Sequence, residues 1–381
     1  MLTSRRVSLN LAWGLLVVGS MTPRLVGAQL LGEIDFPNSG APEAQADFIE
    51  GVLYLHNFEY EDAREAFVRA REIDPGFAMA YWGEAMTHNH PIWMRQQTEA
   101  GRAVLAALGE SSQERRAQAG SAREAAYLAA VETLFGEDGD GTQKEERDDR
   151  YRDAMRRLYE LHPDDDEAAA FSALAILGTA HEGRDFATYM RAAAVASEVW
   201  ERNDHHPGAA HYLIHSFDDP IHAPLGLPMA RRYAAIAPAA AHAQHMTSHI
   251  FVALGLWQDV VDANVVARRV QNQGFAERGR PPRLCGHYPY WLEYGYLQQG
   301  RIGEAARVLE QCLDGLASGG DEGELWHFAA MRARFAVDSE AWDKVASWVN
   351  PAAAHHANYI FADGLAAYHL GDEAALQMAI E

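Results

Sequence analysis

Basic residues, cysteines and apolar runs are all scarce in this sequence, and each scarcity excludes a class of protein. The 381 residues carry 32 Lys and Arg against 54 Asp and Glu, a formal net charge of −22. Because nucleic-acid binding needs clustered positive charge, a nucleic-acid partner is excluded, and small molecules, cations or neutral to basic surfaces are expected instead. Beyond the N-terminus no stretch is long and apolar enough to cross a bilayer, so stable membrane insertion is not expected.

The N-terminus has the pattern of an export signal. Arg5 and Arg6 precede the apolar run 9–18, and small residues before Gln29 offer a cleavage site. We predict a signal peptide over residues 1–28, an N-terminal extension over 29–41, and an exported protein that is periplasmic or secreted. The paired arginines weakly resemble a twin-arginine signal, but an ordinary secretory route is favoured because Ser8 stands where that motif prefers Phe.

Strand signals are also scarce, whereas Ala-rich amphipathic segments recur throughout the chain. In GVLYLHNFEYEDAREAFVRAREIDP, residues 51–75, the small residues Gly51, Ala63 and Ala70 accompany the large Phe67, and a proline ends the segment. This spacing resembles the tetratricopeptide repeat (TPR), a helix–turn–helix unit of roughly 34 residues. The polar residues at positions 47 and 50 depart from the repeat, which prefers Trp and Leu there.

Weaker copies of the unit follow at 248–267, 294–313 and 361–376. In the first copy a polar residue, Asn264, takes the slot that the repeat fills with a large apolar side chain. We therefore predict an all-α fold, a right-handed α-solenoid of TPR-like hairpins with ~10 to 14 helices, over residues 42–381. The charged stretch 136–149 is predicted to be a flexible surface connection.

The two cysteines, Cys285 and Cys312, fall at neighbouring ends of one predicted hairpin. Cys285 lies just before its first helix and Cys312 lies near the end of its second. Since two thiols in an oxidising compartment more often pair than stay free, a Cys285–Cys312 disulfide is predicted. The alternative makes Cys285 a metal ligand beside His287.

Histidines are concentrated in one part of the chain. Of 18 in total, eight lie between residues 205 and 249, where about two would be expected from even scatter. His211 and His215 are one helical turn apart, and His242, His245 and His249 follow one helical stripe. Pairs at this spacing can place two imidazoles on one metal ion, as in H-E-x-x-H zinc helices, but the Glu of that motif is missing, which excludes a zinc protease.

These positions fall on first helices of successive hairpins, which line the concave wall of a TPR array. We predict a transition-metal site in the groove with a ligand pool of His206, His211, His215, His242, His245 and His249. The alternative for each histidine is hydrogen-bonded packing between helices. Imidazole ligands without thiolates suit copper, zinc or iron, and disfavour calcium and magnesium.

Further histidines lie farther away in the sequence. His88 and His90 are candidate ligands or structural residues in equal measure, and His56 and His287 are expected to be structural or to support the ligands. Asp218 follows the His215 helix, where it caps the next segment or orients a ligand histidine.

The whole mature chain also resembles a group of exported bacterial TPR proteins. The phrases that carry the resemblance are LHNF–YEDAREAF, AMAYWGEAM–HPIW, DHHPGAAHYLIHSFDDP–APLGLPMARRY and AHAQHMTSHIF–LGLW. The resemblance implies the fold and the export, and it names no reaction.

Three functional hypotheses follow. The first is a metal-dependent enzyme that activates water or dioxygen against a small substrate in the groove. The second is a scaffold that binds a peptide or protein in the same groove. The third is a protein that handles copper or zinc without turnover.

Overall fold

A computed structural model of the chain describes residues 30–136 and 141–381. The predicted signal peptide, residues 1–28, lies outside the described residues and stays a prediction. Among the described residues, none of the helices combines the length and the apolar character needed to cross a membrane.

Nineteen α-helices make up most of the described chain. In chain order they are α1 Gln45–His56, α2 Tyr60–Ile73, α3 Ala78–Met86, α4 Thr98–Leu108, α5 Ser112–Ala117, α6 Ala122–Phe135, α7 Lys144–Leu161, α8 Asp166–Leu177, α9 Phe186–Arg202, α10 Pro207–Phe217, α11 Ala223–Ile236, α12 Ala241–Ala253, α13 Trp257–Glu277, α14 His287–Gln298, α15 Ile302–Gly315, α16 Glu322–Ser339, α17 Trp342–Ser347, α18 Ala357–Leu370 and α19 Glu373–Ile380. Two short antiparallel strands, β1 Asn89–His90 and β2 Arg95–Gln96, lie between α3 and α4. Short 3-10 turns occupy Pro42–Ala44, Pro91–Trp93, Leu316–Ser318 and Pro351–Ala353.

Consecutive helices pack against each other along the chain, so the fold is an all-α solenoid of helical hairpins and the predicted fold class is confirmed. The expected number of helices was too low. Helices α5 and α17 have only six residues each, which is too short for a hydrophobic period to show in the sequence.

The first hairpin, α1 with α2, shows why the repeat pattern has its residues. A Cβ on Gly51 would lie 2.8 Å from the Phe67 ring, so only glycine allows this approach of the two helices. The two polar departures from the repeat have a partner, because Arg69 reaches Asp47 and Glu50, each at 2.7 Å. An ion-pair network thus takes the place of the apolar pair that the repeat prefers.

The charged connection predicted at 136–149 is shorter than expected. Helix α7 begins at Lys144 and includes the last six residues of that stretch. Its first turns are rich in ion pairs one helical turn apart, such as Lys144 with Asp148 at 2.5 Å, which favour a helix over a loop. Residues 137–140 of the predicted connection lie outside the described residues.

The N-terminal extension packs across later helices. Leu31 and Phe36 are buried in the main core. The Glu33 N–H donates to the His205 carbonyl at 3.0 Å, and the Ala239 N–H donates to a carbonyl of the extension at 3.1 Å. The extension therefore ties the start of the chain to the turns that precede α10 and α12.

The end of α13 returns to the first hairpin. Arg280 pairs with Glu61 of α2 at 2.9 Å, and Arg278 pairs with Asp62. Helix α1 also contacts α10 directly. The N-terminal half of the solenoid is therefore closed, and the groove expected there is an enclosed interior.

Buried apolar side chains form two large clusters, one running from Leu31 to Val260 and the other from Val261 to Ala366. Cys285 and Cys312 lie in the second cluster and form a disulfide, which confirms the predicted pair. Because both cysteines are bonded, Cys285 is not available as a metal ligand.

Replacing both cysteines by serine should destabilise the C-terminal hairpins. The bond closes a loop with a sequence separation of 27 residues, for which the chain-entropy model gives about 3–4 kcal/mol. Urea unfolding should show a lower midpoint for the double variant and for the reduced wild type, by equal amounts. A reductant that leaves the wild-type midpoint unchanged would contradict the expected contribution.

Candidate metal centre

Helix α10 carries the first two histidines of the site. The His206 ring caps its start, with Nδ1 accepting from the Ala209 N–H at 3.1 Å, and Pro207 occupies a first-turn position that needs no N–H donor. His211 and His215, one turn apart, have ring centroids 4.8 Å apart. Both side chains project from one face of α10, as the i,i+4 spacing predicts.

Helix α10 can lie close to α1 because residue 208 is glycine. A Cβ on Gly208 would lie 2.4 Å from Nδ1 of His56, at the end of α1. This close approach brings the carbonyl oxygen of His56 to within 2.7 Å of Nδ1 of His211. A carbonyl oxygen only accepts, so Nδ1 of His211 carries the hydrogen and its Nε2 has a free lone pair.

Three histidines from α10 and α12 form what we call the closed set: His211, His215 and His242. Their candidate ligand atoms lie within 4.8 Å of one another, and the residues are only 0%, 8% and 7% exposed. The Nε2 atom of each ring is buried and lacks a hydrogen-bond partner among the described residues. Since buried polar atoms in native proteins nearly always have partners, three such nitrogens in one place require an explanation.

Three more histidines, from α12 and α14, form the open set: His245, His249 and His287. Their candidate ligand atoms also lie within 4.8 Å of one another. The Nε2 of His245 is 2.9 Å from that of His287 and 3.2 Å from that of His249. His245 is buried, whereas the His249 side chain is 16% exposed and His287 is exposed.

Two rings of the open set are held with their Nε2 lone pairs inward. Nδ1 of His245 lies 2.7 Å from Oδ1 of Asn264, whose amide group is oriented by its own donation to a backbone carbonyl. Nδ1 of His249 lies 2.7 Å from a carboxylate oxygen of Asp218. Both Nδ1 atoms therefore donate, and a single Nε2–H on His287 cannot satisfy both of the other Nε2 atoms.

A metal ion would resolve these contacts. Two nitrogen ligands of one tetrahedral zinc ion, each at about 2.0–2.1 Å from it, lie roughly 3.3 Å apart. The observed nitrogen separations of 2.9 and 3.2 Å are close to that spacing. The donor set of each group, three imidazoles, is that of a three-histidine transition-metal site.

Burial favours, in four of the six histidines, the neutral form that metal binding requires. Burial, reinforced by neighbouring histidines, lowers the pKa of His211 to about 3. The same causes lower the pKa of His215, His242 and His245 well below the ordinary value. Near neutral pH these rings therefore present lone pairs rather than positive charge.

The two sets adjoin each other along α12. The ring centroids of His242 and His245 are 6.1 Å apart, and so are those of His215 and His249. Helix α12 contributes to both sets because its i, i+3, i+7 stripe continues past the end of α10. The arrangement can hold two metal ions side by side.

Aromatic rings cover both sets. Phe58 has a backbone φ of +57°, in the left-handed region that a phenylalanine rarely adopts. Its ring centroid lies 4.2 Å from that of His211 and 5.6 Å from that of His242. At the open set, the Trp291 ring lies 4.5 Å from His249. The strained backbone conformation of Phe58 thus places its ring against the closed set.

His206 belongs to a different group from the one predicted. Its Nε2 lies 3.1 Å from one carboxylate oxygen of Glu167, and Nε2 of His56 lies 2.7 Å from the other. Nδ1 of His56 is 2.8 Å from the Tyr212 hydroxyl. Since both ring nitrogens of His206 are already hydrogen-bonded, it lies outside the two sets, and His287 is the sixth converging ring instead.

His88 and His90 also lie outside both sets. Nδ1 of His88 is 2.8 Å from the Gln97 amide oxygen. Nε2 of His90 donates to the Thr87 carbonyl at 3.1 Å, and its ring stacks on Tyr60 with centroids 4.0 Å apart. These contacts give both histidines structural roles.

Two supporting residues were missed from the sequence, and one of them left a signal there. Asn264 occupies a large apolar slot of the repeat, and the structure explains the substitution by its bond to His245. Glu167 left no signal, because its partners are distant in the sequence. Asp218 contacts Nδ1 of His249, the contact that its predicted orienting role requires, and the role of His249 as a ligand stays a prediction.

No protein-family model matches the chain, and no curated protein matches it. Among solved structures, the crystal structure of the P58(IPK) TPR domain is similar at 12% sequence identity and a TM-score of 0.21, with 89% of this chain and 96% of that chain covered.

Replacing Glu167 by glutamine should destabilise the protein by about 3 kcal/mol, because one amide oxygen cannot accept from both histidines. Burial alone would raise the pKa of Glu167, but His56 and His206 outweigh it and hold the pKa at about 2. The carboxylate therefore contributes stability above the ordinary pKa of about 4.5, which is lost as the pH falls towards 2. Urea unfolding at pH 7 and pH 3 measures both effects.

The matched control is Glu160→Gln on α7, where the carboxylate is 57% exposed and the expected loss is within about 0.5 kcal/mol. Equal midpoints for the two variants at pH 7 would contradict the role of Glu167.

Proposed function

We propose that this chain is an exported metalloprotein that binds two transition-metal ions, one in the closed set and one in the open set. The observation that carries the proposal is the group of three buried Nε2 atoms without partners, on His211, His215 and His242. Packing histidines would have their nitrogens hydrogen-bonded, as those of His56 and His206 are. A bound cation gives all three lone pairs a partner at once.

The chemistry of the ligands limits which metals can be expected to bind. Six imidazoles without a thiolate suit copper or zinc, with iron as a third candidate. The interior excludes water from the closed set, and Asp218 keeps His249 in the tautomer that presents Nε2. A carboxylate bound to the far side of a ligand histidine is a common means of tuning metal affinity.

We further propose that the protein is a metal-dependent enzyme. When bound, such metals supply Lewis acidity, an activated water or dioxygen chemistry. The chain itself contributes the enclosed apolar surroundings and six imidazole ligands, and the exposed edge at His287 gives a small substrate access. The disulfide and the predicted signal peptide support an oxidising location, periplasmic or secreted.

Two alternatives rest on other observations. The helical hairpins of the C-terminal half form an exposed groove of the kind that binds peptides in TPR arrays, which supports a binding scaffold. The partial exposure of the open set supports a protein that stores or delivers copper or zinc. A scaffold is indifferent to chelators, and a delivery protein exchanges its metal within minutes.

Elemental analysis of the full mature chain tests the proposal. After chelation and refilling with copper or zinc, the wild type should hold about two ions per chain. The double variants His211→Ala/His215→Ala and His249→Ala/His287→Ala should each hold about one, because each removes two ligands from a single set. Circular dichroism reports whether each variant is folded.

The control is His205→Ala, since that side chain is 53% exposed and lies outside both sets. A folded wild type that holds no metal after refilling would reject the metal centre. Equal metal loss in the control and in the set variants would reject the assigned ligands.

A further inference from the structure

A second concave feature lies beside the open set. It is a groove with a volume of about 480 Å³, and the residues that line it all come from α14, α16 and α18, one helix from each of three successive hairpins. We call it the aromatic groove; its principal lining residues are Tyr290, Tyr294, Trp326, Arg334, Asp338 and Phe361.

The aromatic groove and the open set share helix α14. His287, Tyr290 and Tyr294 lie on one face of α14, and seven residues of helix correspond to about 10 Å along its axis. The His327 ring bridges the two, with its centroid 6.2 Å from His287 and 5.9 Å from Tyr290. A molecule lying along this face would reach from the groove to the open set.

The groove contains a guanidinium with no opposite charge paired to it. The Arg334 guanidinium carbon lies 4.1 and 4.3 Å from the ring centroids of Tyr290 and Tyr294, and its one hydrogen bond among the described residues goes to the Tyr290 hydroxyl. No carboxylate of the described residues lies within ion-pair distance of it. The nearby Asp338 accepts from Gln298 at 3.1 Å.

A neighbouring acid does not neutralise this charge. Glu293 is fully buried, and both of its carboxyl oxygens lack partners among the described residues. Burial raises the pKa of Glu293 well above its ordinary value, despite the charge of Arg334. Arg334 is therefore a cation without a paired carboxylate among the described residues, in a chain of net charge −22.

Large apolar side chains stand exposed in the same groove. Trp326 is 44% exposed, Phe361 is 52% exposed and Val337 is 53% exposed. Contiguous exposed apolar surface in a concave site marks a place where a ligand binds.

We propose that the aromatic groove binds a small aromatic carboxylate, with its carboxylate on Arg334 and its rings against Trp326 and Phe361. The far end of such a molecule, about 10 Å away along α14, lies at the open set. The inference names the substrate class of the proposed enzyme, and for that role it rests on the proposed function. A volume of about 480 Å³ is that of a small-molecule site, and the planar guanidinium matches a carboxylate in a bidentate pair.

Calorimetric titration of the full metal-loaded chain with biphenyl-4-carboxylate and with its neutral isostere, biphenyl-4-carboxamide, tests the proposal. The carboxylate should bind about 10-fold more tightly, the preference expected of one charge-assisted pair. Arg334→Gln should abolish the preference, and Arg334→Lys should restore only part of it, because an ammonium cannot make the bidentate pair. The matched control Arg307→Gln, on α15 and 64% exposed at its side chain, should keep it.

Equal affinity of the wild type for the two compounds overturns the proposal, and this comparison needs no variant. A loss in Arg307→Gln equal to that in Arg334→Gln overturns it as well. Tighter Arg334-dependent binding of a tetrapeptide ending in phenylalanine, with no binding of biphenyl-4-carboxylate, overturns it in favour of a peptide terminus.

Metal content measured on the same samples separates this proposal from the proposed function. A metal-free wild type that still prefers the carboxylate through Arg334 contradicts the proposed metal centre and supports the proposed ligand of the aromatic groove. A wild type that is fully loaded with metal and lacks the preference contradicts only the proposed ligand of the aromatic groove.

Discussion

One carboxylate that solvent does not reach, that of Glu167, holds the ends of two helices that are far apart in sequence. It accepts from His56 at the end of α1 and from His206 at the start of α10. The free-energy cost of burying this charge is offset only while both histidines donate to it. The contact therefore sets the position of α10 against α1. That position puts the His56 carbonyl against Nδ1 of His211, and this contact fixes the tautomer of His211.

Closure of the N-terminal half gives the site its chemistry. In an open spiral the histidine stripes of α10 and α12 would face water, with ordinary pKa values and no need of a metal. The N-terminal extension and the returning end of α13 instead tie the first hairpin over them. The resulting burial lowers the pKa of four of these rings, those of His211, His215, His242 and His245, and neutral imidazoles are what a transition metal requires.

Local spacing predicted those parts of the site that lie within single helices. The i,i+4 pair at His211 and the stripe at His242 point as helical geometry requires, and hairpin register predicted the Cys285–Cys312 bond. Contacts between distant hairpins could not be predicted, because small rotations between successive units add up along a solenoid. The structure places His206 beside Glu167 and His287 beside His245, and neither contact could be predicted from local spacing.

The two sets differ in exposure, and the difference separates their roles. In the proposed metalloprotein, an ion in the closed set would have three buried ligands and the Phe58 ring against it, so its role would be to hold the helices together and to tune the neighbouring ion. In the open set, His287 starts helix α14, whose later residues line the aromatic groove. The proposed chemistry on an external molecule would therefore depend on the open set, because among the six histidines only His287 is exposed.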